Sequence, residues 1–513
     1  MANAGLQLGI IAAYLLVALA VGLVAYRVTD RTAEDYFLAS RSFGTVVLLF
    51  TTFATLLSAF TFFGGPNLAY NAGPEWILVM GLMDGVIFAV LWYVIGYRQW
   101  LVGKANGYVT LGEMLGDRFG SVGLRVLVAG ISLFWLIPYV MLQQQGAGTA
   151  VRALTEGAVP YWAGAGGITL FMILYVAVSG MRGVAWTDTF QGVFMLGMVW
   201  LALAWVLAAV GGPSAATSAL AESSPEFLSL GGGLYSPAFI ISTAVSIAFG
   251  VTMFPQVNQR FFVAGSKTVF KRTFVLWPVL VLLLFVPAFM LGAWAQGLGI
   301  VAEQGENILP LLLNEYTPAW FAALVVAGAM AAMMSSSDSM LLSGSSYLTR
   351  DVYRQVATGI TDRREALVGQ AGVVAIALIS FGLSLFQPTT LVEIGDTAFG
   401  GFAQLALPIV VALYWQGTTR TGMYAGVVGS QVFYTLSVLP FGVFESVPVI
   451  RLLAALATLL PESYVLPFAP GLGGFQPSVV GMGLGLALTV AASALTSASA
   501  TEDATAYEGL SAD

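Results

Sequence analysis

Stretches of mostly apolar residues recur along nearly the whole chain, and they constrain its fold more than any other feature of the sequence. Hydrophobic residues make up 58% of the 513 positions and charged residues only 9%, against roughly 25% charged residues in a soluble domain. A water-soluble core cannot bury so much apolar surface, whereas about twenty apolar residues in a helix cross a hydrocarbon layer of roughly 30 Å. The sequence therefore predicts an all-α polytopic protein of the lipid bilayer.

Hydropathy predicts thirteen membrane spans. Their bounds are 7–26, 45–71, 76–97, 122–145, 162–180, 188–210, 236–255, 273–297, 319–347, 366–387, 390–414, 421–441 and 476–496. Lys and Arg collect on the cytoplasmic side of membrane proteins, and with the N-terminus outside all of the 19 basic residues except Arg152 and Arg451 fall in inner loops. We therefore expect a plasma-membrane protein with an outer N-terminus, a long outer loop at 442–475 and a cytoplasmic C-terminus.

The residue types that the chain lacks exclude most kinds of catalysis. It has no cysteine and no histidine, which removes thiol nucleophiles, disulfides, imidazole acid–base chemistry and ordinary zinc, haem or iron–sulfur sites. The net charge is −7 and the bases are scattered among short loops, a pattern that does not favour nucleic-acid binding. We expect no enzymatic activity, no catalytic residue, no cofactor, no nucleic acid and no obligate protein partner.

Glycine and proline interrupt two of the predicted spans at matching positions. The second span carries Gly64-Gly65-Pro66, and the seventh carries Gly250 and Pro255. Interrupted spans at corresponding positions of two repeats point to the binding site of a transporter, although both residue types are also common in membrane helices. The predicted units are an N-terminal helix and loop at 1–44, five-helix repeats at 45–210 and 236–414, two helices at 415–497 and an acidic tail at 498–513.

The ninth predicted span contains a dense polar cluster, in the sequence AAMMSSSDSMLLSGSS. Positions i, i+3, i+4 and i+7 share one face of a helix, and here they hold Ala332, Ser335, Ser336 and Ser339. Hydroxyl and carbonyl oxygens are the ligands that a small hard cation needs in place of water. Close helix packing would also explain the serines, but it does not explain Asp338.

Acidic residues inside spans are costly and usually mark ion paths or buried partners. Besides Asp338, the predicted spans contain Asp84, Glu393 and Asp396, and Asp188 lies at the start of the sixth span. Glu393 and Asp396 could be solvated at the membrane interface, Asp84 could pair with a neighbouring helix, and Asp188 could cap its own helix.

Six segments, in order between about residues 30 and 415, resemble the sodium:solute symporter family. They read EDYFLASRSFG, TTFATLLSAFTFFGGPNLAYNAG, VTLGEMLGDRF, SGMRGVAWTDTFQG, FPQVNQRFFVAGS and MMSSSDSMLLSGSSYLTRDVY. The resemblance implies a LeuT-like 5+5 inverted repeat with discontinuous helices. It also implies sodium-driven import of a small organic solute by alternating access, with sodium ion and solute as the partners.

The resemblance also implies which residues bind sodium. The site would comprise the backbone carbonyls of Ala54, Leu57 and Ala332 and the hydroxyls of Ser335 and Ser336. Some relatives hold a second sodium through groups that match Asp188, Asp338 and Ser339. We expect Arg260, in PQVNQR, to close an inner gate or to pair with an inner-loop acid.

The solute is predicted more coarsely. Proline carriers of this family have an aspartate in the segment that here reads ATLLS, where this chain has leucine, so proline is not the preferred solute. The stretches YFLASRSFG and FFGGPNLAYNAG are closer to pantothenate permeases, which suggests a solute with a carboxylate; an amino acid is the other class that the resemblance implies. Candidate contacts, each of which helix packing would also explain, are Thr55, Ser58, Phe60, Gln143 and Gln144.

Four other functions would use the same spans. A channel or passive uniporter would not depend on an ion gradient, and a proton-coupled carrier would use another ion. A sensor would need an output domain, whereas only residues 498–513 follow the last span. A membrane enzyme would need a nucleophile or acid pair, and Glu393 and Asp396 come with no nucleophile motif.

Overall fold

The computed structural model describes residues 3–26, 39–303, 305–357, 360–387, 389–438 and 475–498, together with Glu502 and Tyr507. Over these ranges the chain is helical and contains no β-strand. The helices are α1 Ala4–Tyr26, α2 Thr45–Leu56, α3 Phe60–Ala72, α4 Ile77–Asn106, α5 Leu111–Arg118, α6 Val122–Leu154, α7 Tyr161–Val210, α8 Pro213–Ser223, α9 Pro237–Thr252, α10 Pro255–Val263, α11 Lys267–Gly297, α12 Ile308–Tyr316, α13 Ala319–Val356, α14 Asp362–Ser384, α15 Leu391–Ala403, α16 Ala406–Tyr414, α17 Arg420–Val438 and α18 Pro477–Leu495.

A helix lies at each of the thirteen predicted spans. In the described part of the chain, nine helices are long and apolar enough to cross a bilayer, or eleven if each bent pair is one span. The remaining two positions hold the shorter apolar segment Tyr161–Val176 and the more polar α17. The all-helical fold is confirmed, while the count of thirteen and the orientation of the termini stay predictions. The outer loop predicted at 442–475 falls almost wholly outside the described residues, as does most of the acidic tail.

Helix α7 contains two of the predicted spans. Its helical geometry continues from Tyr161 to Val210, yet the hydroxyls of Tyr175 and Thr187 lie 2.5 Å apart. Twelve residues along a straight helix would separate them by about 18 Å. The helix must therefore bend sharply between these two residues, and its apolar parts Tyr161–Val176 and Gly183–Val210 lie at the predicted spans 162–180 and 188–210.

Two helix pairs are sharply bent. Helices α2 and α3 meet at 61°, and α9 and α10 meet at 59°. The second bend lies immediately before Pro255, where the sequence predicted an interruption. The first lies at residues 57–59, where Leu57 adopts an extended conformation, and not at Gly64-Gly65-Pro66. Pro66 is accommodated because it lies in the first turn of the α-helical part of α3, where a missing N–H is tolerated.

Helix α13 forms the centre of the bundle. Nearly all its side chains between Phe321 and Ser346 are buried, and it packs against α1, α6, α7 and α14. Small residues allow such close approach of membrane helices. Gly250 shows the same constraint between α9 and α15, because a Cβ atom there would lie 2.2 Å from the carbonyl oxygen of Phe399. Gly250 therefore serves helix packing, while Pro255 marks the bend.

Candidate functional site

The bend between α2 and α3 exposes backbone oxygens to α13. Carbonyls in the last turn of a helix have no partner within that helix, and here two serine hydroxyls supply one. Ser335 donates to the carbonyl of Ala54 at 2.6 Å and to that of Ala332 at 3.0 Å. Ser336 donates to the carbonyl of Leu57 at 2.7 Å and to that of Thr55 at 2.8 Å. We call this group of oxygens the α2–α13 oxygen cluster.

This cluster unites the five residues that the sequence proposed for sodium: Ala54, Leu57, Ala332, Ser335 and Ser336. Each is at most 1% exposed. The spacing of the serines explains the geometry, because positions i, i+3 and i+4 face the same neighbour. Ser337, on another face, donates to its own helix at Met333 instead. The arrangement provides hydroxyl and carbonyl oxygens without a formal charge, which suits a monovalent cation.

Arg260 occupies a second polar cluster, beside the first. Its guanidinium is fully buried and contacts Asp188 at 2.9 Å and the hydroxyl of Ser339 at 2.7 Å. It also donates to the hydroxyl of Thr51 at 2.9 Å, and Thr51 in turn donates to Asp188 at 2.6 Å. The positive charge of Arg260 thus balances the buried charge of Asp188.

The second polar cluster bears on three of the predictions made from the sequence. The partner of Arg260 is Asp188, a residue of α7, and not an acid of an inner loop. Asp188 is not a helix N-cap, because it lies inside α7. Of the three groups considered for a second sodium, Asp188 and Ser339 meet through Arg260. Asp338 makes no hydrogen bond to either, and its Oδ1 atom has no partner among the described residues.

A small, largely enclosed cavity lies beside the α2–α3 bend. It has a volume of about 30 Å³, room for little more than one water molecule. Helices α2, α3, α4, α6, α9, α11 and α15 contribute to its walls. The lining residues are Leu56, Leu57, Phe60, Thr61, Met80, Asp84, Phe88, Tyr139, Ile247, Val251, Trp277, Val281, Phe285 and Phe399.

The five predicted solute contacts separate into three groups. Phe60 lines the cavity, and Ser58 borders it through a 3.1 Å hydrogen bond to Tyr139. Gln143 accepts from the N–H of Ala59 at 2.9 Å, which fixes the bend itself. The other two point elsewhere: Thr55 bonds to Ser339 and Asp188, and Gln144 donates to Thr169 and to the carbonyl of Ala377.

Sequence reasoning missed most of the cavity wall. Asp84 was noted as an acid inside a span, but its place in the cavity wall comes from the packing of α4 on α9 and α11. Trp277 and Phe399 belong to spans rich in large apolar residues, and no local pattern distinguishes a cavity-lining aromatic from one that faces another helix. Tyr139 could have been found from its position one turn before Gln143.

Charged residues at one end of the bundle join α5, α6, α13 and α14. Arg125 contacts Glu113 at 3.0 Å and Asp351 at 2.8 Å. Arg350 reaches Glu365 at 3.3 Å. The predicted orientation places this end on the cytoplasmic side. It lies apart from both polar clusters, and its contacts hold the end of α13 against its neighbours.

Comparison with known proteins identifies relatives along most of the chain. The profile of the Sodium:solute symporter family matches residues 36–429. The chain is 29% identical to a sodium/pantothenate symporter of Escherichia coli over 88% of this chain and 95% of the relative. It is 26% identical to a sodium/proline symporter of Haemophilus influenzae over 85% of this chain and 90% of the relative.

Solved structures share the same fold. The substrate-bound outward-open structure of a Na⁺-coupled sialic acid symporter superimposes with a TM-score of 0.74 at 20% identity, over 96% of this chain and 98% of that protein. The nucleobase-cation-symport-1 transporter Mhp1 in a closed conformation gives a TM-score of 0.55 at 16% identity, over 92% and 98%. The expected LeuT-like fold is thereby confirmed.

Proposed function

This chain belongs to the sodium:solute symporter family, and we propose on that premise that the α2–α13 oxygen cluster binds the sodium ion that drives its transport. The protein is a multi-pass membrane transporter of small solutes, driven by sodium, and not an enzyme. One observation carries the assignment of the ion: two serine hydroxyls of α13 lie 2.6 to 2.8 Å from three carbonyl oxygens of the broken α2–α3 pair.

The cluster has the chemistry that sodium requires. A hard cation binds oxygen ligands, and carbonyls freed by an unwound helix are such ligands in transporters. Ser335 and Ser336 could instead serve packing alone, through the hydrogen bonds that they donate to those carbonyls. A bound sodium would take over both sets of oxygens, with the hydroxyl protons turned away from it. The affinity of the cluster for sodium would then depend on the packing of α13 against the α2–α3 bend.

The same cluster offers a route for coupling the ion to the solute. Leu57 contributes a carbonyl to the cluster and also lines the cavity. Sodium bound at the cluster would therefore fix the conformation of the bend that forms one wall of the cavity. We propose that the solute binds in this cavity, beside Phe60, after the aromatic walls have separated, and that it enters the cell by alternating access.

A second sodium between Asp188 and Ser339 would need a change in the position of Arg260. Asp188 and Ser339 both contact Arg260, so that a cation already sits between them. Asp338 is a separate candidate, and we propose that Asp338→Asn impairs coupling, which would show as a lower ratio of sodium to solute flux.

The class of solute is proposed from the relatives. Their names give pantothenate and proline as solutes, one a carboxylate and the other an amino acid. We propose a small carboxylate or amino acid for this chain, imported across the plasma membrane, with the N-terminus outside and the C-terminus in the cytoplasm.

Uptake by the purified protein in proteoliposomes tests the proposal. Labelled carboxylates, amino acids and pantothenate are offered with an inward sodium gradient and, as control, with an equal potassium gradient. We expect one solute to accumulate above its equilibrium concentration with sodium only. Equilibration at the same rate in both gradients would identify a passive uniporter, and accumulation driven by a proton gradient alone would identify a proton-coupled carrier.

A further inference from the structure

We infer that Asp84 selects the solute of this transporter, and that the solute carries a positively charged nitrogen which binds the Asp84 carboxylate. The inference rests on the proposed function, because it takes the cavity beside the α2–α3 bend as the solute site. It narrows the solute from any small carboxylate or amino acid to a zwitterion or a cation.

The first support is the missing partner of Asp84. Its side chain is only 7% exposed and lines the cavity. Its Oδ1 atom is buried and has no hydrogen-bond partner among the described residues. Buried carboxylates are costly unless they are paired, and a charged residue inside a span usually has a function. No residue that lines the cavity is basic, so a cation that pairs with Asp84 would have to enter with the solute.

The cavity wall provides the second support. Six of its residues carry aromatic rings: Phe60, Phe88, Tyr139, Trp277, Phe285 and Phe399. Aromatic faces attract ammonium groups through their quadrupole, and several rings around one site form the usual cage for such groups. An isolated carboxylate among aromatic rings is thus complementary to a cationic nitrogen. It repels a solute whose only charge is negative.

The backbone at Asp84 gives the third support. Asp84 ends the π-helical turn Ile77–Asp84, and π-helical turns inside α-helices occur frequently at functional sites. Gly85 follows at once, and a Cβ atom there would lie 3.5 Å from Val281 and 3.8 Å from the backbone of Pro278. These are ordinary contact distances; α4 packs against α11 at this turn, and Asp84 and Trp277 line the same cavity.

Uptake by the full-length protein in proteoliposomes under a sodium gradient tests the inference. The probes are L-proline, L-alanine, glycine betaine and choline, each with a cationic nitrogen, and pantothenate, L-lactate and pyruvate, which have none. L-Alanine and L-lactate form a matched pair, since they differ only in the amino and hydroxyl groups. We expect accumulation within the first group only, and stronger competition by L-alanine than by L-lactate.

Variants of Asp84 test whether this residue causes the preference for solutes with a cationic nitrogen. We expect Asp84→Asn to raise the KM of the accumulated probe roughly 10- to 100-fold, because it removes the negative charge that strengthens the hydrogen bond to the cationic nitrogen. The sodium concentration for half-maximal uptake should stay unchanged. Asp84→Glu keeps the charge and should restore part of the affinity. The control is Asp117→Asn, which removes an exposed acid on α5 and should leave KM unchanged.

The outcomes separate the inference from the proposed function. Sodium-driven accumulation of pantothenate or lactate alone would overturn the role of Asp84 and leave sodium symport intact. An unchanged KM in Asp84→Asn would also overturn it. If flux does not depend on sodium, the symport assignment fails, and the ratio of alanine to lactate flux in wild type and in Asp84→Glu still decides whether Asp84 selects the solute. That ratio does not require Asp84→Asn to fold.

Discussion

Ser335, Ser336 and Ser337 are consecutive on α13, but their hydroxyls have different partners. The first two reach across to the carbonyls of α2 and the bend, while Ser337 bonds within its own helix at Met333. Helical periodicity alone predicted which serines would share a face with Ala332. It could not predict the partner of Arg260, because Asp188 lies 72 residues away in the chain, and the two meet only because α7 and α10 both pack against α2 and α13.

Removing the two hydroxyls should weaken sodium binding. We expect Ser335→Ala and Ser336→Ala each to raise the sodium concentration for half-maximal uptake by roughly tenfold, the effect of losing one ligand worth about 1.4 kcal/mol. The maximal rate at high sodium should change little. Ser337→Ala is the matched control and should behave like wild type. Unchanged sodium dependence in both single variants would show that these serines serve helix packing and do not bind sodium.

Breaking the buried ion pair should destabilise the protein. Arg260→Gln leaves Asp188 charged and without its cation, and removal of one partner of a buried pair costs roughly 3–5 kcal/mol. Both side chains are at most 1% exposed, so solvent offers little compensation. Thermal unfolding in detergent should therefore shift to lower temperature. The double variant Arg260→Gln with Asp188→Asn should recover most of the loss, and equal losses in the single and double variants would contradict the pairing.

The bent pairs show what sequence can predict about helices. Pro255 marks the α9–α10 bend, because a proline cannot continue the preceding hydrogen-bond pattern. The α2–α3 bend contains no proline or glycine at residues 57–59, and side chains hold it instead: Gln143 accepts from Ala59, and Ser58 accepts from the N–H of Phe60. Such a break depends on contacts with a neighbouring helix. The local signal Gly64-Gly65-Pro66 therefore placed the interruption several residues after the observed bend.

Close packing of α9 on α15 gives a prediction for a whole element. Gly250→Ala would place a Cβ atom 2.2 Å from a backbone oxygen of Phe399, which forces the two helices apart. We expect a loss of roughly 1–3 kcal/mol in stability and slower uptake, since α9 also lines the cavity. The control is Gly197→Ala on α7, where a Cβ atom meets nothing within 4 Å. A thermal unfolding temperature of Gly250→Ala equal to that of the control would contradict the packing role.

At the scale of the whole molecule, hydropathy predicted a helix at every span position, because span length is set by bilayer thickness and not by the details of packing. The inverted repeat stays a prediction, supported by two bends of 61° and 59° in the first helices of the two proposed units. The cavity between those units could not be predicted, since its wall draws on seven helices that are distant in the chain. Single spans can thus be predicted from composition, whereas a site between spans can be identified only from the packed helices.

Sodium should stabilise the assembled bundle as a unit, because the α2–α13 oxygen cluster joins the broken helix to the central helix. A ligand that binds only the folded state adds roughly 2.7 kcal/mol at a concentration 100 times its Kd. We expect the thermal unfolding temperature of the purified protein to rise with sodium chloride but not with potassium chloride at equal ionic strength. Removal of sodium by dialysis should reverse the rise. The variant that combines Ser335→Ala and Ser336→Ala should lose the sodium response, while Ser337→Ala should keep it. An equal response in all three proteins would place the ion elsewhere in the bundle.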